Sequence, residues 1–381
     1  MGWSIFPRKT HRRVKEMFLF LSLFALAQSL VVIFEPVFFY TEGIPIWRIA
    51  LYYALHYSLY VVLLPVGGKV VARVGLESSL AISTPLFVIY FLCLSVMPFA
   101  PGLFWVALVL LTVHKIFYWP AFHVTFSRFT AGGERGRAVS WVYLISYGVG
   151  IVGPFVGGLV AMWFGFSTLF VLAAAVALLS SLALLRTKER YRVARFDYNK
   201  PWRVIFDSHY RRTMRAMLGS GSNLIHMFFW PIYVFAMLGS AAVLGAIVAI
   251  GTLVATLTGL VIGRAADRLG QRAVLRLILP FASLSFVLRP MAVTLPLVGL
   301  TDIYARMSDV GILIPLYSRI YTRARVQQPL SFVIAAEIVL SIAKAATAWI
   351  LVGLFFVFLP YPAFFLAFLL AAALVFLHWF L

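Results

Sequence analysis

Long apolar runs broken by short polar punctuation dominate this chain. Twelve runs can be marked, over 17–40, 47–66, 79–98, 103–127, 138–161, 166–186, 213–237, 241–262, 273–293, 296–318, 331–357 and 361–381. A helix crossing a hydrocarbon core about 30 Å thick needs about 20 such residues. The runs are too long for membrane strands and lack period-two alternation, so a closed barrel is excluded. Helices are then the remaining way to satisfy backbone N–H and C=O groups in lipid. The pattern predicts an all-α integral membrane protein with twelve transmembrane helices, numbered here as spans 1 to 12.

Composition agrees. Of 381 residues, 63% are apolar and 12% charged, whereas soluble domains are about half apolar and a quarter charged. Disorder, collagen-like repeats and a disulfide scaffold are excluded, and the lone Cys93 rules out Cys-based metal clusters. Lys and Arg number 32 against 12 Asp and Glu, a net charge of +20. In a soluble protein that excess would suggest nucleic acid; here its placement points elsewhere. Most of the basic residues fall at the N-terminus and in the connections near 67–78, 128–137, 187–212, 263–272 and 319–330, all on one side of the membrane. The other side has short links such as Pro98-Phe99-Ala100-Pro101-Gly102, with Arg48 and Arg289 nearby. The positive-inside rule puts the N-terminus in the cytoplasm, and an even span count returns the C-terminus there. The expected place is the inner or plasma membrane, with anionic lipids as partners at the cytoplasmic face and no nucleic acid. The basic start (Arg8, Lys9, Arg12, Arg13, Lys15) runs into an apolar stretch too long for a cleaved signal, and reads as an anchor that becomes span 1.

The longest connection divides the spans six and six: an N-terminal bundle over 1–186, a basic cytoplasmic linker over 187–212 and a C-terminal bundle over 213–381. The halves also match each other at a constant offset of 195 residues. Ile33-Phe34-Glu35-Pro36-Val37-Phe38 aligns with Phe228-Phe229-Trp230-Pro231-Ile232-Tyr233, and Gln28 falls on Asn223. Gly68, Lys69, Arg73 and Gly75 fall on Gly263, Arg264, Arg268 and Gly270; Pro120 falls on Pro315 and Arg128 on Arg323. Four places holding one register predict two pseudo-symmetric six-helix bundles in parallel orientation, with a site between them near mid-membrane.

The stretch Gly263-Arg264-Ala265-Ala266-Asp267-Arg268-Leu269-Gly270-Gln271-Arg272 resembles the G-x-x-x-D-R-x-G-x-R loop of the major facilitator superfamily of transporters. That family carries the loop between spans 2 and 3 and, weaker, between spans 8 and 9. Here the ranking is inverted, because the first copy has Ala72 in place of Asp and Leu76-Glu77 in place of the basic pair. Gly148 to Gly158 in span 5 is similar to the G-x-x-x-G-P-x-x-G-G motif frequent in the family's proton-coupled antiporters, with Val149 where the first glycine should stand. Glu134-Arg135-Gly136-Arg137-Ala138 is also family-like. The resemblance implies a twelve-span transporter in which Asp267 latches the cytoplasmic side against Arg135 and Arg137, with Ala72 leaving the latch one-sided. Gly68, Gly75, Gly263 and Gly270 suit tight turns, with Arg73, Arg268 and Arg272 completing the gating loops. In span 5, Gly150, Gly153, Gly157 and Gly158 allow close helix packing, and Pro154 removes a backbone donor.

Ionisable side chains at mid-membrane each require a reason. Span 10 carries Asp302, Arg306 and Asp309 on one face, and span 11 carries Glu337, Ser341 and Lys344. Span 4 has His114, Lys115 and Tyr118; span 1 has Gln28 and Glu35; span 7 has Asn223, His226 and Trp230; span 2 has His56. In the family, the first and fourth helices of each half line the cavity, which makes these residues a candidate path for substrate and proton. A proton-coupled carrier needs a carboxylate or histidine whose proton affinity depends on which side is open, and Asp309 is the first candidate among Asp309, Asp302, Glu337 and Glu35.

The expected function is a secondary active transporter of a small organic solute, monomeric, coupled to protons and exporting. The alternatives are an uptake symporter or facilitator, and a receptor-like protein that keeps the fold. The chain has no D-D-x-x-D, H-E-x-x-H or phosphate-binding Walker loop, so no enzyme, cofactor or metal is expected. The residues indicate no sign of charge for the substrate.

Overall fold

The positions of glycine and proline explain where the helices stop and bend. The computed structural model describes residues 12–129, 136–184, 196–324 and 329–381. Span 1 runs as two helices, Arg12–Val31 and Phe34–Thr41, followed by Ile46–Val74 (span 2), Leu76–Val96 (span 3) and Leu103–Phe129 (span 4). Gly136–Leu184 holds spans 5 and 6, broken at Gly165, where φ is 82°. The second half follows with Arg211–Leu238 (span 7), Ala241–Leu269 (span 8), Gln271–Leu288 (span 9), Leu295–Ala324 (span 10), Pro329–Val357 (span 11) and Pro360–Val375 (span 12). Among the described residues, ten helices are long and apolar enough to span by themselves. The count reaches twelve because Gly148–Ala183 folds into two at Gly165, and because span 10 crosses despite Asp302, Arg306 and Asp309. No strand occurs among the described residues.

The internal repeat is visible as backbone geometry. Spans 2 and 3 meet at Gly75 (φ 99°, ψ 166°), and spans 8 and 9 meet 195 positions later at Gly270 (φ 86°, ψ 145°). A one-residue turn with positive φ is strained for any residue with a Cβ. Gly68 and Gly263, expected in these turns, lie instead inside the helices, which continue to Val74 and Leu269. Gly68 serves packing: a Cβ there would collide with Ile334 of span 11 and Phe196 of the linker.

The bends repeat as well. Pro36 leaves the carbonyl four residues earlier without a donor, and span 1 breaks at 32–33. Its counterpart Pro231 follows a π-turn over Ile225–Phe229 in span 7. Spans 1 and 7 are therefore both irregular just before the matched prolines.

The halves meet along two long seams, span 2 against span 11 and span 5 against span 8. Small residues set the second seam. A Cβ on Gly245 would strike the Pro154 carbonyl oxygen, and one on Gly158 would lie 2.6 Å from the Ala241 carbonyl oxygen. On its other face span 5 packs on span 1, where Gly153 meets Ser29 and Gly157 meets the Leu30 carbonyl. Gly150 has ordinary contact with Thr252. Opposite the seams, span 8 turns Ile250, Leu253, Leu257 and Leu260 outward, an apolar stripe at helical spacing suited to acyl chains. The described part of the linker is not simply solvated: its helix Asn199–Phe206 packs on span 11, and Tyr198 covers Lys69 at 4.6 Å.

Gly245→Val is expected to lower stability by roughly 1–3 kcal/mol, the usual cost of overpacking against a backbone that cannot yield. Gly263→Ala, where the added Cβ meets open space, should not lower it. Thermal unfolding of the purified variants in one detergent checks the contrast.

Candidate functional site

Span 2 presents His56 and the tyrosines Tyr53, Tyr57 and Tyr60 at helical spacing, all buried. Tyr57 occupies the seam at mid-depth. Lys115 of span 4 places Nζ 5.1 Å from the Tyr57 ring centre, and Lys344 of span 11 lies 5.4 Å from the same ring. Two ammonium groups, one from each half, thus share one aromatic surface.

Hydrogen bonds fix the state of His56. The Thr112 hydroxyl has one proton and donates it to the Leu108 carbonyl at 2.8 Å. It must therefore accept from His56 Nδ1, also at 2.8 Å. That leaves the lone pair of Nε2 to accept from Lys115 Nζ at 3.2 Å. The other tautomer would set an N–H against an ammonium. His56 is thus a neutral orienting acceptor, and Lys115 keeps further N–H donors.

Each end of the gap is crossed by aromatic contacts. On the basic side, Glu337 of span 11 pairs with His123 of span 4 at 3.3 Å and accepts from the Tyr60 hydroxyl at 3.4 Å. His123 also stacks on Tyr317 of span 10 at 6.0 Å. On the opposite side, Tyr53 stacks on Phe228 of span 7 at 4.2 Å and donates to Glu35 at 3.4 Å.

The C-terminal half holds a second network. Asp302, fully buried, accepts from Trp230 Nε1 at 2.9 Å and from Arg306 Nε at 2.6 Å. Arg289 is only 1% exposed. Its Nη2 lies 2.6 Å from His226 Nδ1, and its guanidinium rests over Phe286 at 4.0 Å and Trp230 at 4.9 Å. Arg289 cannot lose its proton, so it donates and His226 accepts. Asp309 differs from the other three carboxylates: it is half-buried, and its side chain makes no hydrogen bond or ion pair among the described residues. Gln28 and Asn223, the matched pair of spans 1 and 7, are likewise half-buried, with no side-chain hydrogen bond among the described residues.

The structure therefore brings Lys115, Lys344 and Glu337 to the tyrosine face of span 2, and Trp230, His226, Asp302 and Arg306 into the second network. His114 and Tyr118 do not join them. Successive helix residues point about 100° apart, so His114 faces into the N-terminal half. There it donates to the Ser83 carbonyl at 2.8 Å and stacks on Phe87 at 4.3 Å; Tyr118 stacks on Phe24 at 4.5 Å. In the loops, Asp267, Arg73 and Arg268 are exposed and Gly270 makes the turn. Arg272 donates to the Leu381 carbonyl oxygen at 2.9 Å. Arg135 and the side chain of Arg137 lie outside the described residues, and Asp267 has no hydrogen bond or ion pair among the described ones. No group of three His, Cys, Asp or Glu able to hold a metal occurs among the described residues.

Tyr53, Tyr57, Tyr60, His123 and Arg289 carry these networks without having stood out in the sequence. The i, i+4, i+7 tyrosine stripe of span 2 is a signal that an apolar count conceals. Arg289 reads as a boundary charge until Phe286, one turn earlier, is seen to cover it.

The sequence profile described as Major Facilitator Superfamily matches residues 17–314. The chain belongs to that superfamily. No curated protein matches this superfamily member by sequence. Among solved structures it is similar to one titled "Crystal structure of nucleoside transporter NupG", with a TM-score of 0.67 at 14% identity, covering 96% of this chain and 98% of that one. At such identity the likeness speaks for the fold, and the fold is that of the superfamily: two six-helix bundles face to face.

Asp302→Asn leaves the half-buried Arg306 beside a neutral partner. Breaking a buried pair on one side costs about 3–5 kcal/mol, so this variant should unfold well below the parent. The double variant Asp302→Asn/Arg306→Met should regain much of the loss, read by the same thermal scan.

Proposed function

We propose that this superfamily member is a secondary active transporter that moves a small organic solute by rocker-switch alternating access, coupled to protons through Asp309. The units over 1–186 and 213–381 act as the rocking bodies, the basic connections face the cytoplasm, and the linker over 187–212 ties the bodies together there. The solute binds in the gap at mid-depth, within reach of Lys115, Lys344, Gln28 and Asn223.

The observation that carries the proton assignment is the sorting of the buried carboxylates. Asp302 is held by Arg306 and Trp230, Glu337 by His123 and Tyr60, and Glu35 takes the Tyr53 hydroxyl. Protonating any of these weakens a contact already made. Asp309 sacrifices none among the described residues, lies within the fields of Arg306, Arg289 and Lys344, and is half-buried rather than sealed. A carboxylate of that kind exchanges its proton with one compartment at a time.

The glycine-proline run of span 5 favours export over uptake. A solute found by thermal-shift screening, offered to proteoliposomes with an imposed proton gradient, decides the direction by the sign of its movement. In the same vesicles Asp309→Asn should reduce gradient-driven movement at least tenfold while solute exchange at equal pH continues. Gradient-driven movement at the parent rate would take Asp309 out of the mechanism.

A further inference from the structure

The mid-depth gap has a charge balance that the sequence alone hides. By formal count, acids and bases in the spans nearly cancel; by contacts they do not. Glu35, Asp302 and Glu337 each take a donor from a neighbouring side chain. Arg306 is engaged by Asp302 and Arg289 by His226 and its aromatic cover. What remains around Tyr57 is Lys115, which touches only a neutral imidazole acceptor and a ring face, and Lys344, which touches the same ring. Both are half-buried and so reach accessible space. Facing Lys344 is Asp309, a carboxylate with no hydrogen bond or ion pair among the described residues. Glu35 and Glu337 act on these lysines only through space: no carboxylate among the described residues forms an ion pair with either ammonium.

Two ammonium groups at one ring repel each other through space. An anion between them removes it. Tyr57 also has a hydroxyl that makes no hydrogen bond among the described residues and can donate to a carboxylate or phosphoryl oxygen. Because Lys115 belongs to the first half and Lys344 to the second, an anion held by both also draws the halves together, which links occupancy to closure.

We propose that the solute is an organic anion, a compound bearing a carboxylate or phosphate, bound between Lys115 and Lys344 beside Tyr57. This rests on the transporter reading and names its substrate class.

The test uses the full-length protein in detergent and matched probes that differ in charge: benzoate, benzyl alcohol and benzylamine, with adenosine monophosphate and adenosine as a second set. Thermal shift and equilibrium binding should show saturable binding of benzoate or adenosine monophosphate and none of the neutral or cationic partner. Lys115→Met and Lys344→Met keep the apolar stem and should each weaken anion binding at least tenfold, with Lys115→Arg and Lys344→Arg recovering part of it. The proposal is overturned if no anion in the set binds saturably, if the uncharged or cationic analogues bind equally well, or if anion binding survives both methionine variants. The transporter reading is tested apart from this by maleimide labelling of Asn223→Cys in a Cys93→Ala background, from each side of a sealed vesicle. Labelling from both sides with saturable movement of a neutral or cationic solute leaves alternating access standing and removes the anion. Labelling from one side under all conditions sinks the transport reading itself.

Discussion

An ion taken out of water must find a compensating partner, and this requirement organises the interior. The buried charges fall into two kinds. Some are closed circuits: Asp302 with Arg306 and Trp230, Glu337 with His123 and Tyr60, Arg289 with His226 and aromatic faces. In each, the loss of hydration is offset by short, directed contacts, and removing one member strands another. The rest are open: Lys115, Lys344 and Asp309 are half-buried and underpartnered. Closed circuits hold spans in fixed relation within a half or across its ends. Open groups are tolerable only where water or a solute can reach them.

The two kinds are indistinguishable in a list of residues, and this limits what could be read from the sequence. Span number, the two-half repeat and the one-residue turns at Gly75 and Gly270 depend on long runs and on single residues with unusual backbone freedom, both directly legible. Side-chain facing is different, because it assumes an unbroken helix. Gln28 and Glu35 look like one face at a spacing of seven, but the break at 32–33 lies between them. Asn223, His226 and Trp230 look like one stripe, but a π-turn runs through it; His226 meets Arg289 and Trp230 meets Asp302, while Asn223 makes no side-chain hydrogen bond among the described residues. Gly68 reads as a turn residue because the loop motif begins there, whereas the helix continues six residues further and uses the missing side chain for packing.

The repeat also separates backbone from chemistry. The offset that puts Pro231 on Pro36 and Gly270 on Gly75 puts Trp230 on Glu35 and Asp309 on His114. The halves share the places where helices bend and turn, which geometry demands of both. They do not share the polar groups next to those places. In the first half the matched position is a carboxylate beside a tyrosine; in the second it is an indole that donates to a carboxylate from another span. The framework is symmetric, and the site built on it is not.

The contacts between the halves are graded in a way that suits such a framework to movement. Along spans 5 and 8 the backbones approach so closely that Gly158 and Gly245 leave no room for a methyl group, and spans 2 and 11 run together over most of their length. At the two ends of the gap the halves are joined by side-chain contacts, Tyr53 against Phe228 and Phe229 and Trp47 against Phe356 at one, and His123 on Tyr317 with the pairing of His123 and Glu337 at the other. A ring stack contributes about 0.5–1.5 kcal/mol beyond its buried area. The proposed rocking of the halves asks for this gradation: joints at the ends made of side-chain contacts, and continuous seams to pivot on. A group that binds both lysines at once needs only modest differential affinity to choose between the tilted forms.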